Sequence, residues 1–149
     1  MSVISTIYDN FNTAVAALFP TKTELENSYD IADNPDVLLK NGYGITWDAG
    51  TYLDDLNGPI YYQERSVSVV LTAKIFRTDL DRTARRAVEK ALLESSKLIV
   101  DAIKSDPTVY RIVEYFESAG DSGMGFVQDE KQNIISIKNN FTLRYAETL

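Results

Sequence analysis

The stretch RSVSVVLTAKIFRTD, Arg65 to Asp79, decides the fold. Its residues Val67, Val69, Leu71, Ala73 and Ile75 alternate with mostly polar neighbours, the period-two pattern of a strand with one buried face. A long strand of this kind needs helices to cover its apolar row. The sequence offers one on each side.

Downstream, Asp79 or Asp81 can cap a helix whose inward positions are Ala84, Ala87, Val88, Ala91, Leu92, Leu98, Ile99, Ala102 and Ile103. It is expected to run to about Lys104, before the stop at Asp106-Pro107. Upstream, Ile4, Ile7, Tyr8, Phe11, Ala14, Val15 and Leu18 recur at helical spacing between Ser2, a candidate N-cap, and Phe19-Pro20. Proline has no amide hydrogen with which to continue that helix.

Further strands follow from residue type. GYGITW is short, aromatic and β-branched, which favours a small strand over Tyr43–Trp47. TVYRIVEYFES is apolar on both faces and suits an inner strand or one covered on both sides. In NIISIKNNFTLRY the residues Ile135, Ile137, Phe141, Leu143 and Tyr145 share odd positions, so this strand has one core face. Residues 21–42 read as loop, with one helical turn in NPDVLLKNG. A long loop is expected at about 48–63, broken by Asn57-Gly58-Pro59, and a glycine-rich turn at about 118–131. No repeat or interdomain linker interrupts the pattern. The expected fold is a single α+β domain, with a mixed or antiparallel sheet of about four strands packed against two main helices.

Composition closes several functional classes. The chain has 149 residues, enough for one domain with a real core. It contains no Cys and no His, which removes disulfides, thiolate zinc sites, cysteine nucleophiles and the commonest general base. No apolar run approaches the ~20 residues of a membrane span, and MSVISTIYDNFN lacks a basic region before an apolar core, so the chain is expected to stay where it is made. A formal charge of −7 disfavours nonspecific attraction to nucleic acid or to anionic membranes.

The motifs favour binding over catalysis. GDSG, Gly120 to Gly123, matches the surroundings of a nucleophilic serine, but no imidazole is present to take the Ser122 proton. The same glycines lack the Gly-Lys-Ser/Thr of a phosphate loop. Asp48, Asp54 and Asp55 lack the ligand ladder of a calcium loop and read as a solvated acidic segment. Tyr52, Tyr61 and Tyr62 nearby suit an interface, where tyrosine is enriched, or the packing of the loop on its own domain. Arg82, Arg85, Arg86 and Lys90 share one helix face, interrupted by Glu89 and Glu94; they form a solvated face or a patch that meets a neighbour's acidic loop. No catalytic, metal or cofactor residues are expected.

The first helix ending at LFP, the junction NPDVLLKNGYGITWDAG, the long strand RSVSVVLTAKIFRTD, a helix and the closing strand IISIKNNFTLRY together resemble the tail terminator proteins of long-tailed bacteriophages. The resemblance covers nearly the whole chain. It implies a structural, non-enzymatic virion protein that forms a homohexameric ring at the head-proximal end of the tail tube, ends tube polymerisation and presents a surface for head attachment. Implied partners are other copies of itself, the tail tube protein and a head-completion or connector protein, with DNA passing through the ring unbound. On that reading Trp47, Tyr52, Asp54 and Asp55 face a neighbour or the tube, and Arg82, Arg85 and Arg86 face the adjacent subunit. The alternatives are a head-completion or neck protein and, in other classes, a small-ligand binding domain or a carboxylate-based hydrolase.

Overall fold

A computed structural model of the chain describes residues 2–24, 42–53, 59–76, 82–106, 115–128 and 132–148, with backbone alone for 74–76, 82, 115–119, 124, 126–128, 132–134 and 148. Helix α1 spans Val3–Leu18, and α2 spans Arg82–Ser105. The strands are β1 (Thr23–Glu24), β2 (Gly42–Tyr52), β3 (Ile60–Phe76), β4 (Tyr115–Gln128) and β5 (Gln132–Thr148). They form one mixed sheet in the order β1-β2-β3-β5-β4, with β1 parallel to β2 and every other pairing antiparallel. The architecture is the expected α+β domain, with the two-residue β1 as an additional strand in a segment read as loop.

The alternation in β3 and β5 builds the sheet's core face. Val67 pairs with Phe141 and Leu71 with Ile137, so their side chains share one face. That face receives Ile7, Phe11 and Val15 from α1 and Leu92, Ile99 and Ile103 from α2. Phe11 meets Phe141 edge-on, with ring centroids 6.0 Å apart. Burying each such side chain contributes about 1.5–3 kcal/mol. Ser2 caps α1, its Oγ accepting from Ser5 N at 3.2 Å.

The buried stripe of α2 is narrower than the sequence pattern suggests. Leu92, Ser96, Ile99 and Ile103 are buried, whereas Ala87, Ala91 and Leu98 are exposed. The buried set advances by alternating four- and three-residue steps, so a serine takes a core position and Leu98 falls on the flank. The helix caps expected at Asp79 or Asp81, and the helical turn in NPDVLLKNG, lie outside the described residues.

Two loops expected from sequence are largely strand. Strand β2 continues to Tyr52 and β3 begins at Ile60, so most of the expected 48–63 loop belongs to a long hairpin. The polar residues that suggested a loop have cross-strand partners: Arg144 Nε donates to Glu64 Oε2 at 2.7 Å, and Tyr145 donates to Gln63 Oε1. A bulge between Trp47 and Gly50 absorbs the break in alternation. A Cβ on Gly50 would stand 2.5 Å from Arg65 Nη2 and 2.5 Å from Gln63 Nε2, so a larger residue here would have to displace the ends of these two side chains.

The glycine-rich turn at 118–131 is likewise strand as far as Gln128. Its glycines serve irregular pairing, with register shifts between Ser118 and Gly120 and between Asp121 and Met124. Gly120 (φ 95°) and Gly123 (φ 72°) adopt the left-handed backbone that these shifts require. From Tyr115 on, the expected inner strand is β4, at the edge of the sheet rather than inside it. Bulges are a common means of blunting such an edge.

The second face of β3 also differs from expectation. Ser68, Val70 and Thr72 are buried, as is Thr46 of β2. Neighbouring strands satisfy the hydroxyls: Thr72 Oγ1 accepts from Gly42 N at 3.1 Å, and Ser68 Oγ donates to Asn140 Oδ1 at 3.1 Å. Polar residues on this strand therefore do not mark solvent.

Candidate interaction surface

The end of the β2–β3 hairpin exposes large apolar side chains, Tyr52 on one face of the sheet and Ile60 on the other. Tyr52 is 58% exposed, Leu53 40% and Ile60 52%. Leu53 N donates to Tyr62 O at 3.3 Å, which holds the two strands together beyond the last ladder pair. The Tyr52 and Tyr61 rings meet edge-on at 5.6 Å, so the exposed tyrosine is propped rather than free to rotate.

A polar cluster supports this end from inside. Arg65 Nη1 donates to the carbonyl of Asp48 at 2.6 Å, satisfying an acceptor released by the bulge. Arg65 Nε donates to Tyr145 Oη at 3.4 Å, while that hydroxyl donates to Gln63. Burial pushes the Tyr145 phenol above its ordinary range, and the Arg65 guanidinium offsets part of that rise. Glu147, only 6% exposed, accepts from Val3 N at 3.2 Å and from Ile4 N at 2.7 Å. The last strand thus ties down the first turn of α1, where a carboxylate is favoured by the unpaired amides and the helix dipole.

The residues expected at an interface divide sharply. Trp47 packs within its own chain: its Nε1 donates to Asn12 Oδ1 at 3.2 Å, and its ring lies 5.3 Å from Tyr8 and 5.4 Å from Phe11. Tyr52 is open to a partner. Asp54 and Asp55 lie outside the described residues, as does the Arg82 side chain. Arg85 and Arg86 are exposed on α2, together with Lys90. Arg85 Nε stands 3.7 Å from Glu89 Oε1, a solvent-screened pair of small energetic weight. The structure brings neither arginine next to Tyr52.

Sequence reasoning missed Leu53, Ile60 and Glu147. The signal for Glu147 was present, since it continues the odd-numbered buried row of β5, where a carboxylate requires a partner. The GDSG segment is accounted for structurally. Asp121 Oδ1 accepts from Gly123 N at 2.8 Å, and Ser122 Oγ accepts from Lys138 N at 3.1 Å, so both side chains brace the bulge.

Among the described residues no group of three or more acidic side chains is placed to hold a metal ion, and no helix is long and apolar enough to cross a membrane. No protein-family model matches the chain, and no curated protein matches it.

Proposed function

We propose that the chain is a ring-forming structural subunit of the tail terminator type, closing the head-proximal end of a bacteriophage tail tube. The exposed end of the β2–β3 hairpin carries this reading. Tyr52, Leu53 and Ile60 stand clear of the core, and the bulge, Arg65 and Tyr145 hold the strands behind them. A braced apolar projection suits docking against another protein, because little conformational freedom remains to be lost on contact. A head-to-tail contact between unlike surfaces generates a ring when its rotation closes. Termination then follows from one ring face that matches the tube and another that refuses a further tube ring. The net charge of −7 per subunit, repeated around a channel, would let DNA pass without adhering.

Native mass spectrometry over a concentration series, followed by negative-stain imaging of any oligomer, tests ring formation. A closed hexamer is expected, alone or on addition of tube protein. A monomer under both conditions overturns the ring reading. Deletion of the gene in its source phage tests the assignment within the virion: overlong tails are expected, whereas free tails of normal length beside unjoined heads would place the protein in the neck.

A further inference from the structure

A cavity of about 220 Å³ opens between α2 and the bulged part of β4, with β5 at its inner end. Leu93 and Val100 give it an apolar lining, and Lys97 and Asp121 stand at its mouth. Its inner end holds Ser96 and Asn139, which are only 7% and 4% exposed. Asn139 Nδ2 donates to Ser96 Oγ at 3.1 Å. That bond uses one of the two amide hydrogens and one lone pair of the hydroxyl. Among the described residues, the Asn139 carbonyl oxygen, its second amide hydrogen and the Ser96 hydroxyl hydrogen have no protein partner. Buried polar groups are normally paired, so donors and acceptors left facing a cavity specify what would fit there.

The mouth carries one charge of each sign, and both are engaged. Lys97 Nζ pairs with Asp101 Oδ2 at 2.5 Å, and Asp121 Oδ1 accepts from Gly123 N at 2.8 Å. An anion would meet Asp121 and a cation would meet Lys97, so a neutral ligand is favoured. The volume lies below the roughly 300–1,000 Å³ of ordinary small-molecule sites, which restricts the occupant to something the size of a side chain.

We infer that this cavity binds a neutral primary carboxamide, with its carbonyl accepting from the Ser96 hydroxyl, its NH₂ donating to the Asn139 carbonyl and its aliphatic stem lying between Leu93 and Val100. Turning the Asn139 amide over exchanges donor and acceptor, and a carboxamide, which carries both, still matches. An alcohol offers a single polar atom to a site with several unmet groups, and a carboxylate has no hydrogen to donate when ionised. The ligand is either a Gln or Asn side chain of a partner protein or a free small amide. The inference does not rest on the ring reading, because the pocket is complete within one chain.

The test is an NMR titration of the ¹⁵N-labelled full chain with propionamide, propionate and propanol. Saturable shifts at the Asn139 side-chain amide and at the Ser96, Val100 and Gly120 backbone amides are expected with propionamide, and much weaker ones with the other two. Ser96→Ala removes one hydrogen bond from the site and is expected to weaken propionamide binding roughly tenfold. Its amide spectrum should otherwise retain the wild-type dispersion. A capped Gly-Gln-Gly peptide separates the sources: tighter binding than propionamide identifies a protein side chain, and binding of propionamide alone identifies a free amide. Absence of saturable shifts, equal shifts from all three probes, or undiminished binding by a folded Ser96→Ala variant overturns the inference.

Discussion

Trp47 and Tyr52 belong to the same strand and pair with Val67 and Gln63, so they face the same side of the sheet, yet their surroundings are opposite. Trp47 is clasped by Tyr8, Phe11 and Asn12 of α1, whereas Tyr52 is more than half exposed. The bulge between Trp47 and Gly50 separates them. On one side of it, helices cover the sheet and apolar burial stabilises the fold; on the other, the hairpin continues on ladder hydrogen bonds and the Arg65 cluster. An aromatic residue's type therefore says little about whether it serves the core or a partner. Its position relative to the helix cover decides.

Substitutions in the covered region should have the largest effect. Phe141 is fully buried against Phe11, and Phe141→Ala is expected to cost about 3–5 kcal/mol in urea unfolding, through lost transfer energy and the cavity left behind. A loss near that of a surface substitution would mean that the helices do not close over β5 as described.

Glu147 joins the two regions, so its removal should have an intermediate effect. Glu147→Ala leaves Val3 N and Ile4 N without their acceptor and is expected to cost about 1–3 kcal/mol. Hydrogen exchange should report the loss first in the initial turn of α1. Glu147→Gln keeps an oxygen acceptor but loses the charge, and should cost less. An equal cost for both variants would assign the effect to the charge rather than to the hydrogen bonds.

The covered region was the legible one. In β5 the odd-numbered apolar residues foretold the buried face, and in α1 the spacing of Ile7, Phe11 and Val15 foretold the core stripe, because burial leaves a periodic trace in sequence. The extended hairpin and β4 were misread for a shared reason. Gln63, Glu64, Asp121 and Ser122 look like loop residues, yet each is satisfied by a specific strand or bulge partner. Except for Asp121 with Gly123, these pairings join residues distant in sequence, such as Glu64 with Arg144, and local patterning carries no record of them. The candidate site was legible only in part. Tyr52 was singled out by residue type and is exposed, Ile60 draws notice only once the hairpin places it near the exposed end, and the packing of Trp47 on α1 could not be read from its own segment.

Alkaline titration sharpens the contrast at the polar cluster. The Tyr145 phenol is raised by burial, so the neutral form is favoured in the folded chain. Its contribution to stability is fully present below the unfolded value of about 10 and is lost as pH rises through the folded value. Tyr145→Phe should therefore flatten the decline of stability above about pH 10. It should not abolish that decline, because Tyr43 is also raised, by burial first and then by Glu24. Ultraviolet difference titration, compared with urea midpoints at each pH, checks this sign. An unchanged alkaline slope would remove Tyr145 from the linkage.

The smallest effect on folding is expected where the effect on assembly is greatest. Tyr52→Ser and Ile60→Ser replace side chains that are already more than half exposed, so each should change stability by no more than about 0.5 kcal/mol. If the chain forms rings as proposed, the double variant should nevertheless fail to form them at concentrations where the parent does, since an apolar anchor loses its contact area in the complex and not in the monomer. Arg86→Ser on α2 serves as a comparison, because it removes an exposed charge on a different element and should alter the salt dependence of assembly rather than abolish it. If the Tyr52 and Ile60 double variant assembles as the parent does, the hairpin end is an ordinary exposed surface and the contact lies elsewhere. If it unfolds instead, the bulge does not divide the chain into a part that folds and a part that binds.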